Sequence, residues 1–130
     1  MGIENQITRK VKYLKDNTRI FDVLGFMKEN DINFVPIVNK DNVKQLVGII
    51  TDIDLINGQK IEKSKLELFF HKEIKEIMVT NIDYLYETIS EKEAYDFLIK
   101  HKRRRCPVLN KNNELVGILS INDVNLERIK

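Results

Sequence analysis

The chain has 130 residues, 42% hydrophobic and 32% charged, and its formal net charge is +2. This length allows one compact domain or two small halves that share a core, and the small net charge gives no argument for a nucleic-acid or membrane partner. The single Cys106 excludes an internal disulfide and favours a reducing cytoplasm, and no apolar run approaches the roughly 20 residues of a membrane-spanning helix.

The first predicted element is a short extended segment around residues 11–14, and a helix is predicted after it. Following Thr18, apolar residues recur at the spacing i, i+3, i+4, i+7, which places them on one helical face: Ile20, Val23, Leu24 and Met27. Asn30-Asp31 ends this pattern.

Two strands are predicted next. Residues 34–38 form a β-rich run that contains Pro36, and a proline near the start of a strand indicates an edge or end position. Residues 39–42 have turn chemistry. Residues 46–50 are apolar on both faces, which is typical of a buried strand.

A short helix is predicted to begin at Thr51 and to stop near Asn57-Gly58. Residues 59–76 then join the first part of the chain to the second. This joining segment is rich in lysine and glutamate, we expect part of it to be helical, and its apolar anchors are Leu66, Leu68, Phe69 and Phe70.

The second part of the chain repeats the first. An offset of 71 places Pro36 on Pro107, and after a two-residue difference in the turn an offset of 69 places Gly48 on Gly117. The same elements are therefore predicted again: a lead-in at 82–85, a capping box at Ser90–Glu93 ahead of a helix, strands at 106–109 and 115–119, and a helix that starts at Ser120.

Each copy therefore predicts the order β-α-β-β-α, which gives a mixed α/β (α+β) fold. Two copies are too few for a solenoid, and they suggest two half-units packed about a pseudo-twofold axis with clefts between them. The predicted domain bounds are 1–58 for the first repeat, 59–76 for the joining segment and 77–130 for the second repeat.

The residues that could carry catalysis are few. His71 and His101 lack metal-ligand spacing, and Cys106 in a strand favours a packing role over a nucleophile. No glycine-rich phosphate loop is present. Asp52 and Asp54 are spaced like a carboxylate pair, but the second copy does not repeat the pair, and we expect neither catalysis nor a metal site.

A segment of the form Gly-x-x-Thr/Ser-x-x-Asp occurs at the same place in both copies, ending at Asp54 and Asp123. In a structural interpretation, the Thr51 or Ser120 hydroxyl caps a helix and the aspartate favours its N-terminus. In a ligand interpretation, the same helix end offers amides and a hydroxyl to a phosphate, and the aspartate accepts hydrogen bonds from a ribose diol. The residues alone leave both interpretations open.

A basic run, His101–Arg105, has three interpretations. It is a solvated helix end, a nucleic-acid patch, for which a short run without interleaved aromatics is weak evidence, or a phosphate clamp. The clamp follows from position, because Arg104 and Arg105 lie on the strand next to the one that ends at Ser120.

The two copies differ at the position of these arginines. The first copy has Asn33 and Phe34 where the second has Arg104 and Arg105. If both copies offer a site to an anionic ligand, we therefore do not expect them to bind it equally.

From about residue 8 to residue 126, the chain resembles a pair of cystathionine-β-synthase (CBS) domains joined as a Bateman module. The features that carry the resemblance are the strands 35–38 and 106–109, the two Gly-x-x-Thr/Ser-x-x-Asp segments, and residues 74–78 ahead of the second copy. Because the ordered set occurs twice at matching spacing, it is far more specific than any one of its members. The resemblance implies the β-α-β-β-α fold and a homodimer of modules.

The resemblance also implies a ligand, because family members bind AMP, ADP, ATP or S-adenosylmethionine in the clefts between copies. Matched position by position, Ser120, Asp123, Arg104 and Arg105 form the better site. Thr51 and Asp54 form a second site without arginines.

The resemblance implies a role for each of these positions. The aspartate holds the ribose hydroxyls, and the hydroxyl residue with nearby basic residues holds phosphate. Lead-in residues near Val11, or Val79, Thr80 and Ile82, face adenine. The first copy departs from the Met-Thr of the family's lead-in and has Ile7-Thr8 instead.

Together these features predict a regulatory sensor of adenine nucleotides with no catalytic cofactor and no membrane insertion. Its effector is either a separate protein or absent. The arginines favour a phosphate-bearing ligand over S-adenosylmethionine, and they do not rank AMP, ADP and ATP. Two alternatives stay open: a ligand-free dimerisation module, and nucleic-acid binding through residues 102–105, which is the weaker.

Overall fold

The computed structural model describes residues 2–61 and 66–129. The described residues form two three-stranded sheets, ordered β1-β2-β3 and β4-β5-β6, and no helix among them is long and apolar enough to cross a membrane. The mixed α/β class is thereby confirmed. The elements are β1 (Leu14–Lys15), α1 (Ile20–Asn30), β2 (Phe34–Asn39), β3 (Asn42–Thr51), α2 (Asp52–Ile61), α3 (Leu66–His71), β4 (Leu85–Tyr86), α4 (Glu91–Lys100), β5 (Arg105–Leu109) and β6 (Leu115–Ser120), with 3₁₀ turns at Ile74–Glu76 and Ile121–Asp123.

Both sheets have the same design. The middle strand pairs in parallel with a two-residue lead strand and antiparallel with its hairpin partner. Leu14 lies opposite Ile37 in one sheet, and Leu85 lies opposite Val108 in the other. These pairs are related by the offset of 71, so the repeated sequence forms the same strand pairing in both sheets.

Of the two positions predicted for Pro36, the edge strand is wrong, because β2 is the middle strand of its sheet, and β5, which contains Pro107, is the middle strand of the other. The short lead strands explain why proline is tolerated there. β1 pairs only with Ile37 and Val38, and β4 only with Val108 and Leu109. Pro36 and Pro107 come one residue before these pairs, so neither has a partner in the lead strand. The N–H that proline lacks is therefore not needed for a hydrogen bond to that strand.

The chain packs as two compact units that cut across the order of the sequence. Lys12–Ile82 form one, which we call the central unit, and Met1–Val11 with Asp83–Lys130 form the other, which we call the split unit. The units describe packing, whereas the predicted domain bounds describe the repeat, and those bounds stay a prediction.

The core of the central unit combines one face of α1 with the sheet and the joining segment. Ile20, Val23 and Met27 are buried as the helical spacing predicts, but Leu24 is 39% exposed, so the apolar stripe is narrower than predicted. Phe69 and Ile74 from the joining segment belong to the same core cluster.

The joining segment is fixed to the start of α1 by backbone hydrogen bonds. The N–H of Ile20 donates to the carbonyl of Lys72 (2.9 Å), and the N–H of Ile74 donates to the carbonyl of Thr18 (2.7 Å). The predicted helix in this segment is confirmed by α3. The part of the predicted segment at 62–65 lies outside the described residues.

The prediction that the helix after Thr51 stops at Asn57-Gly58 is wrong, because α2 continues to Ile61. Gly58 does not adopt the positive φ of a helix-ending glycine. A Cβ atom there would lie 3.1 Å from the ring of Phe69, so the glycine permits close packing of α2 against α3.

The core of the split unit includes the N-terminal residues Ile3 and Ile7, packed with the buried face of α4 and its sheet. Ser90 caps the start of α4 as predicted, since the N–H of Glu93 donates to Ser90 Oγ (3.1 Å). The predicted box is only half formed, because the Glu93 carboxylate accepts from Ser90 Oγ (2.9 Å) and not from the Ser90 N–H.

The prediction of a helix after Ser120 is wrong, because only one 3₁₀ turn forms there. Asn122, Val124 and Asn125 have low helix propensity. The chain beyond the turn is instead bound to α4, since Glu91 accepts hydrogen bonds from the N–H of Asn125 (2.8 Å) and from the guanidinium of Arg128 at both carboxylate oxygens (2.8 Å each).

The Glu91–Arg128 pair predicts a specific acid sensitivity. The hydrogen bond from Arg128 holds the pKa of Glu91 below its ordinary value of 4.5. The stability that this pair contributes is therefore fully present above that value and is lost as the pH falls through the lowered pKa. We expect Glu91→Gln to lower the melting temperature at pH 7 and to make it less sensitive to pH between 5 and 3.

A series of melts from pH 7 to pH 3 checks this expectation. Arg128→Gln should flatten the same part of the profile, and the double variant should add nothing further, because the two residues act as one pair. A Glu91→Gln profile parallel to that of the wild type would show that the pair does not couple folding to pH.

Candidate functional site

A corner that combines two arginines, a hydroxyl and a carboxylate lies where β5 and β6 meet the last 3₁₀ turn. Arg105 lies opposite Ser120 in the β5–β6 register, and the N–H of Ile121 donates to the carbonyl of Arg104 (2.8 Å). The N–H of Ser120 donates to Asp123 Oδ2 (2.8 Å). We name Arg104, Arg105, Ser120 and Asp123 the basic corner.

The central unit has a corner of the same backbone geometry and opposite charge. Phe34 lies opposite Thr51, and the N–H of Asp52 donates to the carbonyl of Asn33 (3.2 Å). The N–H of Thr51 donates to Asp54 Oδ2 (3.1 Å). We name these five residues the acidic corner, since it has two carboxylates and no arginine.

The two corner hydroxyls differ in their hydrogen bonds. Thr51 Oγ1 donates to Asp54 Oδ2 (2.9 Å) and accepts from the N–H of Asp54 (3.3 Å). Ser120 Oγ accepts from the N–H of Asn122 (3.3 Å), and within 2–61 and 66–129 its own O–H has no acceptor. Both corners are thus reciprocal caps, as the structural interpretation predicts, but only the Ser120 hydroxyl still has a proton to donate.

A lead-in segment runs beside the strand that ends at each corner. Thr8 and Ile118 exchange two backbone hydrogen bonds (2.9 and 3.0 Å), and Val79 and Ile49 do the same (2.9 and 3.0 Å). Ile118 and Ile49 each stand two residues before the corner hydroxyl. Each corner is therefore flanked, within its own unit, by a lead-in from the other sequence repeat.

The repeated glycines allow this close approach. A Cβ atom at Gly117 would lie 2.5 Å from Ile7 Cδ1 and 3.0 Å from the carbonyl oxygen of Thr8, and one at Gly48 would lie 2.4 Å from Met78 Sδ. The glycine of the Gly-x-x-Thr/Ser-x-x-Asp segment therefore makes room for the lead-in side chain.

Four of the six arginines bind protein oxygens. Their partners are Glu87 for Arg9, the carbonyl of His71 for Arg19, Asp83 for Arg103 and Glu91 for Arg128. Arg104 and Arg105 are exposed, and neither guanidinium group has a hydrogen-bond or ion-pair partner in the described part of the chain. The two arginines of the basic corner are therefore available to an anion.

Two other members of the basic run, His101 and Arg103, lie beside Asp83. Arg103 Nε lies 2.9 Å from Asp83 Oδ2, and His101 Nδ1 lies 3.7 Å from Asp83 Oδ1. Cys106 Sγ donates to the Asp83 carbonyl (3.0 Å). Burial, reinforced by the Asp83 charge and opposed by Arg103, raises the pKa of Cys106 to about 12, so its thiol stays protonated at neutral pH and the predicted packing role is confirmed.

The structure separates the predicted site residues into two sets. Ser120, Asp123, Arg104 and Arg105 lie together in the split unit. The other set lies in the central unit: Thr51, Asp54, Val79, Thr80 and Ile82. Val79 is beside the acidic corner, Thr80 is exposed and Ile82 is half-buried.

Sequence reasoning recognised Ile7-Thr8 as the lead-in of the first copy but did not pair it with the basic corner. Ile7 and Thr8 hold that position, whereas the sequence pointed to Val11 or to Val79–Ile82. The repeat contains the missing signal, because the offset of 71 places Thr8 on Val79 and the offset of 69 places Ile49 on Ile118.

Comparison with known proteins identifies the class as tandem CBS-domain proteins. The CBS domain model matches residues 3–60 and again residues 74–127. The chain therefore belongs to the CBS domain family.

Among curated relatives, inosine-5'-monophosphate dehydrogenase of Methanocaldococcus jannaschii is 25% identical over 118 residues, which are 91% of this chain and 22% of that protein. Among solved structures, CBSX2 in complex with AMP has a TM-score of 0.81 at 24% identity and covers 95% of this chain and 92% of that one. The CBS domain pair of MJ0100 in complex with 5'-methylthioadenosine and S-adenosyl-L-methionine has a TM-score of 0.74 at 23% identity, covering 95% and 96%.

Proposed function

We propose that this protein is a regulatory module that binds an adenine nucleotide, AMP, ADP or ATP, and performs no catalysis of its own. Family membership supports a ligand-binding role, and AMP is the ligand of CBSX2. The observation that carries the choice of a phosphate-bearing ligand is the pair Arg104 and Arg105, whose guanidinium groups have no partner in the described residues. Arg105 lies opposite Ser120, whose O–H is also free to donate.

Each residue of the basic corner has a role in this proposal. The arginines bind the phosphate by charge-assisted hydrogen bonds, and the Ser120 hydroxyl donates to it. Asp123 Oδ2 accepts from the N–H of Ser120, and in this proposal its other oxygen accepts from the ribose hydroxyls. Ile7 and Thr8 flank the adenine here, and Val79, Thr80 and Ile82 do so at the second site, with Thr51 and Asp54.

In this proposal the protein is a homodimer in the cytoplasm and passes its signal to a separate effector protein. Its buried thiol fits a reducing compartment. The ligand acts by binding one conformation more tightly than another, since only unequal affinity shifts an equilibrium.

A thermal-shift panel of AMP, ADP, ATP, S-adenosylmethionine, NAD and GMP tests the proposal. A ligand at about 100 times its Kd adds roughly 2.7 kcal/mol, which is a shift of several degrees for a domain of this size. We expect a shift with an adenine nucleotide and none with GMP. A panel without any shift would favour the ligand-free dimerisation module, for which the satisfied caps at Thr51 and Ser120 are the supporting observation.

The site assignment is tested by Asp123→Asn. The amide keeps an acceptor for the N–H of Ser120 but loses the charge that strengthens hydrogen bonds to ribose, so we expect nucleotide affinity to fall by about 10- to 100-fold. Asp54→Asn is the matched control at the equivalent cap. Wild-type affinity in Asp123→Asn, measured by calorimetry, would mean that the nucleotide binds elsewhere.

A further inference from the structure

The two corners offer a ligand opposite charge on the same backbone frame. The register pairs Arg105 with Ser120 and Phe34 with Thr51. The hydrogen bond from Ile121 to Arg104 is repeated by that from Asp52 to Asn33. What differs is therefore the side chains that a ligand meets.

Resting on the proposed function, we infer that a phosphate-bearing adenosine ligand binds at the basic corner only, one per chain, and that the acidic corner accepts only an adenosine ligand without phosphate. The module would then read two classes of adenosine compound, distinguished by charge.

The arginines are the first argument. A phosphate at the basic corner meets two guanidinium groups that no described residue neutralises. Asn33 and Phe34 at the acidic corner supply no charge, so a phosphate there would lose its water without a compensating ion pair.

The carboxylates are the second argument. Asp52 is an exposed carboxylate at the acidic corner, where the basic corner has Ile121. Asp52 and Asp54 together repel a phosphate, because like charges at short range are unfavourable. The basic corner has one carboxylate, Asp123, and two arginines offset it.

The hydroxyl is the third argument. The O–H of Thr51 already donates to Asp54, so binding a phosphate would require breaking that hydrogen bond. The O–H of Ser120 has no acceptor in the described residues, so it binds an oxyanion without such a loss. Charge and hydrogen bonding thus select the same corner.

Calorimetry with AMP and, separately, with adenosine tests the inference on the full chain. We expect one AMP per chain in the wild type. Arg104→Asn with Arg105→Phe places the residues of the first repeat in the second and should weaken AMP at least tenfold while changing adenosine affinity less than twofold. Two AMP per chain, or unchanged AMP affinity in this variant, would overturn the inference and leave the proposed function intact.

The reciprocal variant tests the acidic corner. Asn33→Arg with Asp52→Asn changes two exposed side chains, and a wild-type melting curve verifies folding. We expect the stoichiometry to rise to two AMP per chain. A folded variant that still binds one AMP would refute exclusion by charge, and a wild type that binds neither AMP nor adenosine would instead refute the proposed function.

Discussion

Replacing Phe69 with alanine should lower the free energy of unfolding by about 3–5 kcal/mol, the usual cost of removing a fully buried phenylalanine. Phe69 stands in the segment that joins the repeats, yet its side chain is 1% exposed and belongs to the core of the central unit. Its ring packs edge-on against Phe70, with centroids 5.5 Å apart, and against Gly58 of α2.

The neighbouring Leu68 provides a matched control. It is 63% exposed, so Leu68→Ala should change stability by no more than about 0.5 kcal/mol. Urea denaturation of both variants measures the contrast. Equal losses of unfolding free energy in the two variants would mean that α3 does not pack its Phe69 face against the core. A small loss in both would mean that the joining segment does not stabilise the central unit.

A single methyl group added at Gly117 should cost about 1–3 kcal/mol, because overpacking displaces well-packed neighbours. The added Cβ atom would lie 2.5 Å from Ile7 Cδ1 and 3.0 Å from the carbonyl oxygen of Thr8. Relief of the clash requires the lead-in to move away from β6, so we also expect Gly117→Ala to weaken nucleotide binding at the basic corner.

Gly25 provides the opposite control. It lies in α1 with nothing within 4 Å of its added Cβ, so Gly25→Ala should stabilise the protein by roughly 0.5–1 kcal/mol.

Ile7→Val removes the Cδ1 atom that clashes with an alanine at position 117, and combined with Gly117→Ala it should recover part of the loss. If Gly117→Ala is as stable as the wild type, the lead-in does not pack where the structure places it.

Local patterns in the sequence predicted the local parts of the fold. The spacing of Ile20, Val23 and Met27 gave the buried face of α1, and Ser90 as the N-cap gave the start of α4. The helix after Ser120 was predicted by analogy with the first copy, and it fails because the residues that follow are poor helix formers and Glu91 binds the chain instead.

The site was predictable to the extent that it is local. The positions of Arg105 and Ser120 followed from the hairpin. The sequence selected Arg104 and Arg105 by their position before Pro107. It could not show that Asp83, twenty residues before Arg103, binds Arg103. Ile7 and Thr8 could be paired with the second hairpin only through the repeat offset, because their partner strand lies at the other end of the chain.

The exchange of lead-ins also sets the order in which the protein can form during synthesis. The central unit is one continuous stretch, and its lead-in pair, Val79 with Ile49, closes a loop of about 30 residues. The split unit needs Thr8 to meet Ile118, and closing so long a loop costs more chain entropy. Ile118 must therefore leave the ribosome before Thr8 can find its partner strand, so the lead-in at Ile7 and Thr8 is paired later than the lead-in at Val79.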